Sequence, residues 1–143
     1  MNFARFGIVA LVAACAVGAA HAHHSFAAIY DAQKPARLVG TLSRVEWANP
    51  HAHFYLHVKG KDGQISLWVC EGAGPNVLSR RGFRKTDIKV GDTLIVDGYL
   101  ARSGAKIIDA RRMTLPTGKV VAGGSADDGG PRAPEPPSAS RNR

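Results

Sequence analysis

Glu46-Trp47-Ala48-Asn49-Pro50-His51-Ala52-His53-Phe54-Tyr55-Leu56-His57 has the clearest alternation in the chain, with three of its six histidines and one of its two tryptophans. From His51 the odd positions read His51, His53, Tyr55, His57, and the even positions read Ala52, Phe54, Leu56, Val58. Side chains alternate across a strand. The pattern therefore predicts a half-buried strand, His51 to Lys59, with its histidines on the outer face.

The next residues turn this strand into a hairpin. Gly60-Lys61-Asp62-Gly63 is a turn cluster, and Gln64 to Glu71 alternates Ile65, Leu67, Val69 against Ser66, Trp68, Cys70. If Lys59 closes on Gln64, Val58 pairs with Ile65, Leu56 with Leu67 and Phe54 with Val69 on the buried face. The outer pairs are then His57 with Ser66, Tyr55 with Trp68 and His53 with Cys70. A one-residue slip would exchange the faces of one strand.

Upstream, Ala36 to Trp47 reads as a long, bent first strand. Val39, Thr41, Val45 and Trp47 share one parity, Leu38 and Leu42 the other, and Gly40 allows a bulge or close backbone approach. Residues 23–35 form an extended lead-in, with room for a helical turn around Phe26 to Asp31. Downstream, Pro75 and Gly82 bracket a short helix near Asn76 to Arg81. A fourth strand follows at Thr93 to Arg102, with a bulge near Gly98, and a fifth at about Lys106 to Leu115. Thr117 to Val121 can add a short edge. Five strands with a helix between the third and fourth is the order of an OB-fold barrel. The expected class is all-β with one short helix, a small five-stranded OB-fold-like barrel over residues 36–121; a small sandwich or open roll is the competing architecture. The tail, 122–143, is rich in Gly, Ser, Pro and Arg with no large apolar residue, and it reads as disordered.

Residues 1–22 read as a secretory signal: Arg5, an apolar run from Phe6 to Ala20, and Ala20-His21-Ala22 at the cut. The run is short for a bilayer span, which takes about 20 residues. Val12-Ala13-Ala14-Cys15 resembles a lipoprotein box, but the apolar run continues past it. A periplasmic or secreted protein, cut after Ala22 and not integral to the membrane, is expected. Its mature chain would begin at His23 and hold Cys70 as its one cysteine, so it would have no internal disulfide. The net charge is +8, or +7 once Arg5 is removed. For an exported protein this reads as a solvated basic surface.

The chain resembles a family of small exported bacterial proteins classed as a domain of unknown function. His23-His24-Ser25-Phe26, Asp31, Pro35 and Gly40 carry the resemblance, as do Glu46-Trp47-Ala48-Asn49-Pro50-His51, Trp68, Glu71, Pro75-Asn76-Val77-Leu78, Arg81-Gly82-Phe83 and Gly91-Asp92. It covers about residues 23–121. It implies an exported β-barrel domain and brings no activity with it.

Two ligand readings follow from the residues. In the first, a transition metal, copper before zinc, is held by His23, His24, His51, His53 and Cys70. A chain starting at His23 offers an amine and an imidazole together, and imidazole suits copper and zinc. His51 and His53 lie about 7 Å apart on one strand face, whereas His57 lies about 13 Å along the strand from His53 and is excluded. In the second, Tyr55 and Trp68 form an outer aromatic face for an envelope protein or polymer. Glu46, Trp47, Asn49 and Pro50 also suit a structural corner, with Trp47 plugging the barrel end. No enzyme is expected: the chain has no His-Glu-x-x-His, no Gly-x-Ser-x-Gly and no phosphate loop. Gly72-Ala73-Gly74 lacks the third glycine of a dinucleotide loop. Export argues against nucleic acid as partner.

Overall fold

The structure, a computed structural model, describes residues 26–125 and 128–135. The expected signal segment, its cut after Ala22, and His23 and His24 lie outside the described residues. A four-residue helix, α1 (Phe26–Ile29), leads into β1 (Tyr30–Glu46). Then come β2 (His53–Lys59), β3 (Ile65–Glu71), α2 (Pro75–Arg80), a 3-10 turn (Lys85–Asp87), β4 (Thr93–Ala101), β5 (Ile107–Thr114) and β6 (Val120–Ala122). The first strand thus starts six residues before the expected Ala36 and absorbs part of the lead-in.

The strand order is β3-β2-β1-β4-β5-β6, with antiparallel neighbours, and a further, parallel pairing of β3 with β5 closes the sheet into a barrel-like ring. This is the all-β arrangement that the strand count and helix position predict, with β6 added at the edge. Among the described residues, no helix is long and apolar enough to cross a membrane.

β1 reaches both halves of the ring because it is bulged. Leu42 pairs with Leu56, yet Arg44 pairs with the adjacent Tyr55, so Ser43 is the extra residue. One extra residue switches the strand's parity. Leu38 and Leu42 before it, and Val45 and Trp47 after it, therefore all join the core. That accounts for the uneven pattern of this strand in the sequence. Gly40 is the predicted close approach: a Cβ there would stand 2.8 Å from Val58 Cγ2 and 2.9 Å from the His57 carbonyl.

The hairpin register differs from the expected one by a single residue. Lys59 pairs with Ile65, Leu56 with Trp68, Phe54 with Cys70 and His53 with Glu71. The cause is the turn. Gly63 N donates to Gly60 O, Gly60 N donates to Gln64 O, and Gly63 takes a φ of 81°. This is a three-residue loop with its last residue left-handed, a conformation glycine adopts without a Cβ penalty. Closing one residue later than Gln64 reverses the faces of β3. Trp68 packs against the core and Cys70 is fully buried, whereas Ile65 and Leu67 are 68% and 50% exposed.

The core is aromatic at one end. Phe54 stacks on Phe83 at 5.6 Å, and Trp47 meets both edge-on, at 6.3 and 5.5 Å. Phe26, Tyr30 and Tyr99 form a second, smaller cluster.

Part of the tail expected to be disordered is described, and it lies along β4 and β5. Tyr99 donates to Arg132 O, Arg112 to Pro134 O, and Phe26 N to Asp128 O. Residues 136–143 lie outside the described residues.

Candidate functional site

The corrected register assembles the site. Glu46 pairs with His53, His53 with Glu71, and Glu71 with Asp109. One cross-strand row of ionisable side chains therefore runs over β1, β2, β3 and β5. The parallel closure brings in Asp109, 38 positions after Glu71.

Each carboxylate in the row has a different set of partners. Glu46 pairs with Arg44 at 2.9 Å and accepts from the Tyr55 hydroxyl at 2.9 Å, and the Arg44 guanidinium lies over the Tyr55 ring. Asp109 is bound by Arg111, which also donates to Asp128 at 2.7 Å and to Ser125 O at 3.1 Å. Burial pushes Asp109 up to about 6, against the pull of Arg111.

Glu71 stands apart. It is 24% exposed, and among the described residues it pairs with no lysine or arginine. Its Oε2 accepts from the Tyr30 hydroxyl at 3.0 Å. Burial, and then the Glu71 charge, raises the Tyr30 hydroxyl far above its ordinary value, so it remains a donor. Two imidazoles face the same carboxylate: His51 Nδ1 lies 3.5 Å from Oε1 and His53 Nε2 lies 3.8 Å from Oε2. His53 Nδ1 points back to Glu46 at 3.9 Å. His51 Nδ1 also lies 3.2 Å from Gly72 O; because a carbonyl only accepts, that contact puts the proton on Nδ1 and leaves the Nε2 lone pair open.

Of the residues singled out from sequence, His51 and His53 come together. His57 pairs with Leu67 and Thr41 and is not in the cluster. Cys70 leaves the site: it lies opposite Phe54 inside the ring, and burial pushes its thiol up to about 12. Native Cys70 is accordingly expected to resist iodoacetamide at pH 8 and to react stoichiometrically in guanidinium, as read by intact mass. Rapid labelling of the folded protein would contradict the inward face of β3. Tyr55 and Trp68 do not share a face either, since Tyr55 is outside and Trp68 packs inward, so the expected aromatic surface is not formed. At the corner, Ala52 and Gly72–Ala73 exchange main-chain bonds, and the Asn49 side chain and Pro50 carbonyl pack against Gly74.

Tyr30 and Asp109 are the site residues that sequence reasoning missed; Glu71 stands out in the sequence as part of the family pattern, but not as a neighbour of His53. A hairpin closed on Ile65 would have placed Glu71 opposite His53. Nothing local in the sequence signals the other two.

A family model matches residues 10–108. The chain belongs to DUF6152, a family of unknown function. The DUF6152 match contains Glu46, His51, His53 and Glu71 and ends one residue before Asp109. No curated protein matches the chain. Among solved structures, a chain from the crystal structure of TiaS in complex with a transfer RNA and ATP is similar over 57% of this chain, at 18% identity and a TM-score of 0.42. The matched region spans 18% of that chain's length.

Proposed function

We propose that this DUF6152 protein is exported and non-enzymatic, and that it binds a transition metal ion, copper before zinc, at His53, Glu71 and His51. Glu71 carries the reading: a sheltered carboxylate without a lysine or arginine partner among the described residues, faced by two imidazoles. The 3.8 Å between His53 Nε2 and Glu71 Oε2 is within the ~4.2 Å that two bonds of about 2.1 Å can span. Tyr30 on Glu71 and Gly72 O on His51 supply the outer hydrogen bonds that orient metal ligands. With Cys70 buried, the donors are nitrogen and oxygen, which suits Cu(II) rather than Cu(I).

Among the described residues, no group of three His, Cys, Asp or Glu side chains already stands in a metal-holding arrangement. Further donors therefore belong to the reading, and His23 and His24 are the candidates. The chain enters at Phe26, which stacks on Tyr30, the residue bonded to Glu71. Phe26 is two residues from His24.

The test is Cu(II) titration, followed by EPR, of exported protein whose first residue has been fixed by intact mass. His53→Ala and Glu71→Gln are each expected to weaken binding by about tenfold or more, whereas His57→Ala leaves it unchanged. Wild-type affinity no better than that of a His51→Ala/His53→Ala double variant rules the reading out.

A further inference from the structure

On another side of Arg111, a cleft of about 460 Å³ opens between β6, the end of α2 and the stretch containing Pro131. That volume is within the range of small-molecule sites, roughly 300–1,000 Å³. Four arginines line it, Arg81, Arg111, Arg112 and Arg132, and among the described residues no aspartate or glutamate does. Val120, Ala122 and Pro131 contribute an apolar wall.

Two of these arginines are neutralised from behind. Asp109 and Asp128 hold Arg111, and Asp97 holds Arg112 together with Arg37. Three cations thus face three carboxylates. Arg81 and Arg132 are left over, with no ion pair among the described residues. Arg81 commits one nitrogen, Nη1, to the Ala122 and Gly124 carbonyls, which fixes the side chain and leaves Nε and Nη2 as donors. A guanidinium stays charged at any physiological pH, and its planar fork matches carboxylate and phosphate oxygens.

The fold also explains how so many arginines meet here. Asp97 pairs with Arg112 and Gly98 with Ala110, so Arg111 is the extra residue of a bulge in β5. Two consecutive side chains therefore face outward, where an unbroken strand would send one inward.

We infer that this cleft binds a small organic anion, a phosphate or carboxylate head on an apolar body, with Arg81 and Arg132 engaging the head. The site is independent of the metal reading.

Full-length exported protein, labelled with 15N, is titrated with phenyl phosphate, benzoate and inorganic phosphate. Saturable shifts are expected for phenyl phosphate or benzoate at Arg81, β6 and residues 130–133. Arg81→Ala and Arg132→Ala should each weaken binding by about tenfold, and His53→Ala should not. Arg132→Ala is the decisive variant, because the Tyr99 bond goes to the Arg132 carbonyl and survives the change. Absence of saturable shifts with both organic anions, or unchanged affinity in Arg132→Ala, overturns the inference. Inorganic phosphate binding as tightly as phenyl phosphate overturns the apolar-body component.

Discussion

Phe54→Ala is expected to destabilise the domain by about 3–5 kcal/mol, and Leu67→Ala by less than about 0.5 kcal/mol. Phe54 has no exposed surface, stacks on Phe83 and faces the edge of Trp47, with Val45 and Cys70 opposite it on the neighbouring strands. Removing the ring opens a cavity that three elements would have to collapse to fill. Leu67 is half exposed on the outer face, so truncating it removes little buried area. Urea midpoints at constant slope measure both changes. A domain of this size has about 5–15 kcal/mol in total. Phe54→Leu should be measured alongside, in case the alanine variant is too unstable to purify. Comparable losses in Phe54→Ala and Leu67→Ala would restore the register in which Leu67 points inward.

That contrast marks where the sequence was legible and where it was not. On β2 the two faces differ in kind, histidine and tyrosine against alanine, phenylalanine, leucine and valine, so parity was readable. On β3 both parities are apolar, Ile65, Leu67 and Val69 against Trp68 and Cys70. The decision passed to the turn, where Gly63 adds a left-handed residue that no hydrophobic pattern reports. β1 was blurred for a related reason, since the Ser43 bulge splits one core face between two parities.

The barrel-like ring itself was legible, because strand number and helix position depend on segment existence rather than register. The site was half legible. His51 and His53 lie two residues apart in one stretch, but Glu71 depends on the hairpin register, Tyr30 comes from 41 positions before it, and Asp109 arrives through the parallel closure. Composition counts apolar side chains and says nothing of how the 128–135 stretch meets the domain. This stretch attaches through its own carbonyls, Asp128, Arg132 and Pro134, to donors on the domain.

Gly98→Ala is expected to cost about 3 kcal/mol or more, near or above the usual ceiling for an overpacked position. A Cβ built on Gly98 would lie 1.8 Å from the Asp109 carbonyl oxygen, 2.9 Å from its carbon and 3.3 Å from Arg111 N. All three are backbone atoms, so no rotamer change relieves the clash, and β4 and β5 must separate. Only space forbids the methyl group, because Gly98 has no positive φ. The separation would fall at the bulge that turns Arg111 and Arg112 outward together and at the strand position holding Asp109 opposite Tyr99. The variant should therefore lose phenyl phosphate binding along with thermal stability. Copper affinity should fall less, because His51, His53 and Glu71 lie on or beside β2 and β3, whose mutual pairing does not involve Gly98. Hydrogen exchange would separate the effects: amides of β4 and β5 should lose protection first, while the β2–β3 hairpin keeps it. Wild-type stability with unchanged exchange in β4 and β5 would mean that the two strands are not in the close contact on which the cleft depends.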